Sequence, residues 1–371
     1  MREKMIIIAA ALSLMLTGCD IDLAKIPDMI IPAEDISTTS VPDEEEITPE
    51  LLYDMFAGEL RKFKTKVTIN RNVDASLVTS VIDSIQRNSP DIFWINAYTI
   101  TTGTKSTEVE FEAIDSLTPM QLREMSARLE EKAQELIDSI PEGLMDYDKI
   151  LYIHDTIIRS TSYDKNGSTA GKNGLWGTAY GCLVNGDAVC QGYSEAFVYI
   201  MGKLGIEAGM CSGSAGDERH AWNYVKLGND YYWLDLTWDD PESTDESGES
   251  MQADNLRHTY FLIDDEMLMR TRIIDDDQDF VPECNSVANN YFVRSGCFFD
   301  DYSIEALGWV MLQNEETRSV EFMFSDRETF DTAVEKLFDE GEIWDAGEYV
   351  WLSDQVHYSK DDVMYVITIN Y

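Results

Sequence analysis

The chain has 371 residues, 44% of them hydrophobic, which is enough for more than one domain and at least one sizeable core. With 70 acidic residues against 28 basic ones the formal net charge is −42. A surface of that sign repels a phosphate backbone, so the composition argues against a nucleic-acid partner.

The first predicted segment is a targeting signal. Arg2 and Lys4 precede a short apolar run, Met5 to Leu16, that is too short to span a bilayer as a mature helix. The run ends in Leu16-Thr17-Gly18-Cys19, which resembles the lipobox of bacterial lipoproteins. That resemblance implies lipidation of Cys19, cleavage before it (residues 1–18 removed), and attachment to the extracytoplasmic face of the cell membrane. Residues 19–49 are rich in Ser, Thr, Pro and acid, with little to bury, and read as a tether.

Residues 50–117 read as a small α/β domain: a helix over Leu51–Phe63, then strands at Val67–Ile69 and Val109–Ile114. Thr118-Pro119-Met120-Gln121 is a helix start, with Thr as N-cap, Pro in the first turn and Gln three residues after the cap. Pro141 and Gly143 break that helix. A second one runs from Tyr147 to Arg159, with His154 on its apolar face as a packing residue whose ring nitrogen is satisfied. Thr161–Asn185 is rich in Gly, Thr and Asn and reads as a long surface loop.

Cys190 then opens a helix, with Tyr193, Phe197, Ile200, Met201 and Leu204 at helical spacing and Gly205 ending it. A thiol at a helix N-terminus feels the positive end of the helix dipole, which favours the thiolate. The unpaired N–H of Cys190 also suits an oxyanion. Downstream, Ala221–Leu227 and Tyr231–Thr237 read as a hairpin around Gly228-Asn229. With a two-residue loop, Leu227 faces Asp230 and His220 faces Thr237. Asp235 then lies diagonally from His220 on the same face, about 7–8 Å away and within side-chain reach. A three-residue loop would put the two on opposite faces. Cysteine, histidine and carboxylate are the parts of an activated sulfur nucleophile.

The segments Val189-Cys190-Gln191-Gly192-Tyr193-Ser194-Glu195-Ala196-Phe197, His220-Ala221-Trp222-Asn223-Tyr224-Val225 and Trp233-Leu234-Asp235-Leu236-Thr237-Trp238-Asp239-Asp240-Pro241 resemble the transglutaminase-like superfamily, its bacterial secreted members above all. The resemblance covers roughly Asp148 to Asp265. It implies an α+β, papain-like core with the nucleophile on a central helix against an antiparallel sheet. It also implies Cys190 as nucleophile, His220 as general base and acid, and Asp235 as the orienting carboxylate. An upstream tryptophan serves the oxyanion in animal members; Trp176 or Tyr180 stands in that region here, and Gln191 is a further cleft candidate. Trp222 and Trp238 flank the His and Asp, either as walls of the cleft or as core.

The expected catalytic domain is 118–280, followed from 285 to 371 by a second α/β domain with strands near Arg318–Phe324 and Val363–Ile369 and a helix at Phe330–Phe338. No metal site or cofactor is specified by spacing; the acidic loops, such as Asp239–Glu249, leave calcium open. Of the remaining cysteines, Cys182, Cys211, Cys284 and Cys297, the pair Cys284–Cys297 could close a short disulfide loop, or all four could be buried thiols. The reaction expected is thioester formation from a carboxamide or peptide carbonyl of a protein or peptide substrate. A peptidase or amidase acting on extracellular or cell-wall peptides, and a non-enzymatic binding module, are the alternatives.

Overall fold

A computed structural model describes residues 6–10, 36–39, 46–165, 174–240, 256–276, 278 and 280–371. Cys19, most of the signal and tether, and the acidic stretch from Pro241 to Glu249 lie outside the described residues. Two compact units emerge: residues 1–144 with 152–210, and residues 145–151 with 211–371. Expected boundaries at 118 and 280 do not coincide with this division, and the segment between them contributes to both units.

In the first unit a five-stranded sheet has the order β1-β4-β5-β3-β2 (Ile6–Ala10, Ile95–Thr102, Thr107–Ala113, Lys66–Ile69, Ile36–Thr39). Alternation along β5 buries Val109, Phe111 and Ala113 and turns Glu110 and Glu112 outward, the period-two pattern of a sheet with one covered face. β1 pairs antiparallel with β4, Ile8 opposite Thr99. Helices α1 (Pro49–Leu60) and α2 (Ala75–Asn88) bury Leu52, Phe56, Val78, Ile82 and Ile85 in the same core as Trp94 and Phe111. Helix α3 (Pro119–Asp138) starts with the reciprocal capping box expected of Thr118 and Gln121. α4 spans Asp146–Ser160.

The stretch expected as a surface loop is largely interior between Leu175 and Cys182, while Gly174 and Asn185 remain exposed. Leu175–Gly177 and Gly181–Asn185 form short helical turns, and Leu175, Ala179, Tyr180 and Cys182 are buried. Leu175, Ala179 and Tyr180 join the core of the N-terminal sheet. Glycine and threonine enrichment suggested solvent because composition does not register that small residues also permit close approach. Gly192 shows it: a Cβ there would stand 2.6 Å from the Trp176 carbonyl oxygen and 2.8 Å from the Ala188 Cβ. The segment thus lies directly on the first turn of α5 (Cys190–Leu204), which Gly205 closes in a left-handed conformation (φ 72°).

In the second unit a sheet has the order β11-β10-β9-β8-β12 (Phe261–Ile263, Asp230–Leu234, Glu218–Leu227, Ala208–Ala215, Arg272–Ile274). β9 and β10 pair with Asp230 opposite Leu227 and Leu234 opposite Asn223, the register of a two-residue Gly228-Asn229 loop with Gly228 at φ 67°. A second sheet, β13-β14-β16-β15 (Phe298–Phe299, Ser319–Phe324, Val366–Asn370, His357–Asp361), is flanked by helices Ile304–Gln313 and Arg327–Val334. Trp222, Trp233, Phe292, Phe322 and Ile367 belong to one continuous core. Cys284 and Cys297 form no disulfide; both are buried free thiols, as are Cys182 and Cys211. Among the described residues no helix is long and apolar enough to cross a membrane.

Gly192→Ala is expected to destabilise the protein by about 1–3 kcal/mol, the usual cost of forcing extra volume into a filled contact. Urea unfolding will show this as a lower midpoint at unchanged slope. An unchanged midpoint would mean that Trp176–Thr178 yields without cost.

Candidate active site

Cys190 is the first helical residue of α5, preceded by Val189, whose extended backbone provides no side-chain cap. The Val189 N–H donates to the Trp176 carbonyl at 3.0 Å, and the short strands β6 (Ser162–Tyr163) and β7 (Asp187–Ala188) pair in parallel just before it. The nucleophile candidate is therefore braced from two directions by backbone bonds. It is half-buried, whereas Cys182, Cys211, Cys284 and Cys297 are buried. Burial pushes the Cys211 thiol up to about 12 and raises those of Cys284 and Cys297 as well, which disfavours their thiolates.

One turn further on, Glu195 is buried inside the first unit. Its carboxyl accepts the Gln191 amide at 2.9 Å and the Ala179 N–H at 3.2 Å. Burial outweighs both bonds and pushes its pKa up to about 8. Gln191 is thus tied back along its own helix by an acid that no spacing argument singled out. Of the aromatic candidates upstream, Tyr180 stacks on Phe93 (centroids 5.2 Å apart) and is a core residue. Trp176 is half-buried, with its carbonyl on the α5 start.

In the second unit, His220 and Asp235 meet. Nε2 of His220 lies 2.7 Å from Oδ2 of Asp235, with both side chains buried. The route differs from the expected one. β10 ends at Leu234, so Thr237 is not a ladder partner of His220. Asp235 instead caps a single helical turn, α6 (Leu236–Asp239), with the Trp238 N–H donating to its Oδ1 at 3.1 Å. The two-residue hairpin carries the residues to the right end of the sheet, and the cap supplies the final approach.

Trp222 and Trp238 both flank the imidazole: one ring lies nearly parallel at 6.0 Å, the other edge-on at 6.2 Å. Whereas Trp238 also lines a cleft, Trp222 is fully buried and belongs to the core. Gly213 makes room for it, since a Cβ at that position would lie 2.7 Å from the Trp222 ring and 2.0 Å from the Ile273 carbonyl oxygen.

Arg272, at the start of β12, escaped the sequence reading. It is fully buried, and its Nη2 lies 2.6 Å from the same Oδ2 of Asp235 that His220 contacts. Its guanidinium stacks over Trp238 (4.1 Å) and Tyr260 (4.7 Å). A cleft of about 480 Å³ has Trp238, Tyr260 and Arg272 among its walls. Burial alone would raise the Asp235 pKa, but the charges of His220 and Arg272 and their hydrogen bonds hold it well below the usual carboxylate range. Its contribution to stability is therefore present above the ordinary carboxylate pKa and is lost only as pH falls through the depressed value. His154, as expected, is buried with Nδ1 on Asp155 at 3.0 Å.

Residues 134–237 match the family model described as the transglutaminase-like superfamily, a span that contains Cys190, His220 and Asp235. The segment is a transglutaminase-like domain, and its mixed α+β fold accords with that family's core. Among solved structures the chain is similar to one described as a TGase, at 12% identity and TM-score 0.28, covering 50% of this chain and 54% of that one. It is also similar to a candidate cysteine protease from Cytophaga hutchinsonii, at 16% identity and TM-score 0.25, covering 38% of this chain and 58% of that one. The chain thus spans little more than half the length of either. No curated protein matches. The family match supports a cysteine-dependent enzymatic activity.

Two outcomes follow for the first unit. In protein lacking residues 1–19, iodoacetamide should modify one thiol rapidly under native conditions, and Cys190→Ala should abolish that labelling. Equal labelling of the variant would place the reactive thiol elsewhere. Glu195→Gln should remove a penalty that grows as pH rises. Because the folded-state pKa of Glu195 is raised, its favourable contribution is complete below about 4.5 and is lost as pH climbs toward about 8. The variant should gain stability over the parent at pH 8 but not at pH 5. An equal difference at both pH values would show that Glu195 is ionised in the fold.

Proposed function

We propose that the chain is a cysteine-dependent acyl transferase or amide hydrolase of transglutaminase-like type, with Cys190, His220 and Asp235 as its catalytic residues. The observation that carries this reading is the buried Nε2–Oδ2 bond between His220 and Asp235, in a segment that also places Cys190 at the first turn of α5. An exposed ion pair could be fortuitous. A histidine and a carboxylate both withdrawn from water carry a desolvation cost that orientation of the imidazole accounts for.

In the proposed reaction Asp235 holds Nε2 as N–H, so Nδ1 is the nitrogen that exchanges protons. It takes the proton of the Cys190 thiol, and the sulfur attacks the carbonyl carbon of a carboxamide or peptide bond. The tetrahedral oxyanion is stabilised by backbone N–H groups at the start of α5. His220 then protonates the departing nitrogen, the C–N bond breaks, and a thioester remains on Cys190. An incoming amine closes the cycle as transamidation and water closes it as hydrolysis, in each case with His220 removing the attacking proton. The substrate is a protein or peptide. A lipid anchor at Cys19 would present the domain at the extracytoplasmic face of the membrane.

A glutamine-containing peptide mixed with a labelled primary amine separates the two outcomes, since transamidation incorporates label and hydrolysis releases ammonia or a peptide fragment without it. Cys190→Ala and His220→Ala should each reduce either product by about 10³-fold or more, and Asp235→Asn by about 10²-fold or more. Retention of full turnover by Cys190→Ala would exclude the mechanism.

A further inference from the structure

The Asp235 carboxylate serves two cationic partners through one oxygen. Nε2 of His220 and Nη2 of Arg272 both bond Oδ2, at 2.7 and 2.6 Å. A dyad needs only the first of these. Burying a guanidinium beside it is costly: the Arg272 side chain is fully withdrawn from solvent, and its Nε has no hydrogen-bond partner among the described residues. Trp238 and Tyr260 cover its faces, and the Trp238 amide fixes the other carboxylate oxygen. The arrangement is a closed one in which a permanent cation sits beside an imidazole on a shared anion.

The consequence is electrostatic. A buried carboxylate paired only with histidine favours the imidazolium, and an imidazolium held too firmly is slow to give its proton to a departing nitrogen and to take the next one. A second, always-protonated cation on the same oxygen opposes that tendency by like-charge repulsion, while keeping the carboxylate ionised. We propose that Arg272 is a positioning residue of this site: it anchors Asp235 as an anion and withholds part of that charge from His220, so that the imidazole can release a proton as readily as it takes one. This rests on the reading of His220 as the proton acceptor.

The other charged groups on the surrounding elements are engaged with partners of their own. Arg219, the neighbour of His220 on β9, is paired through both of its terminal nitrogens with Asp275, just after β12. Asp239 of α6 accepts the Tyr260 amide at 2.9 Å, and burial keeps the Tyr260 hydroxyl protonated. Asp240, next after α6, is also buried.

The test is the titration of His220, followed by NMR in protein labelled at histidine. The chain has four histidines, and His220→Gln identifies the signal. All variants are made in a Cys190→Ala background, so that thiol ionisation does not contribute and no activity is required. A failure of the acyl-transfer reading therefore leaves this result interpretable. Arg272→Met and Arg272→Gln should both raise the His220 pKa by about one unit or more, the size expected for removing a close like charge. Arg272→Lys, which keeps the charge, should raise it by less than half as much. Glutamine retains an N–H donor, so a purely structural role would be rescued by Gln and the electrostatic role would not. Titration unchanged in Met and Gln, or shifted equally in Lys and Gln, would overturn the proposal. If Arg272→Met does not fold, the comparison of Lys with Gln decides it alone.

Discussion

The buried carboxylate of Asp235 is the interaction on which the second unit's site depends. It ends a strand, caps the turn that follows, fixes the imidazole and neutralises a guanidinium that would otherwise be stranded in the core. Four jobs on one residue explain why the surroundings are so specific. Trp238 supplies both the amide that the carboxylate caps and a ring beside His220, and Gly213 leaves the space that Trp222 needs.

The first unit solves a different problem, that of holding a thiol at the end of a helix without burying it. Its answer is the segment from Gly174 to Val189, whose backbone touches the first turn of α5 and whose Ala179 amide, with Gln191, engages the buried acid Glu195. Catalytic groups placed on regular elements and braced by neighbouring backbone keep their geometry better than groups on free loops.

Much of this was legible in the sequence because it rests on local rules. The capping box at Thr118, the helix opened by Cys190 and closed by Gly205, and the Gly228-Asn229 register each follow from short-range chemistry, and the structure reproduces them. What escaped depends on distant contacts. Arg272 lies 37 residues from Asp235 and carries no motif; only the sheet order, which sets β12 beside β8, brings it near. Glu195 looked like one more helical acid in a chain full of them. The interior placement of residues 175–182 was hidden because glycine-rich composition signals turns and tight contacts alike. Asp235 itself reached His220 as expected, but by capping a turn rather than by extending a strand.

The central claim, that Cys190 carries an acyl group under the control of His220, is tested most directly by intact-protein mass spectrometry after rapid acid quench with a glutamine-containing peptide. The account predicts an adduct of the acyl mass that maps to Cys190, disappears on addition of hydroxylamine, and fails to form in His220→Ala. Substrate turnover with no adduct on Cys190 in any variant that slows the second step, or an adduct formed equally well without His220, would contradict it.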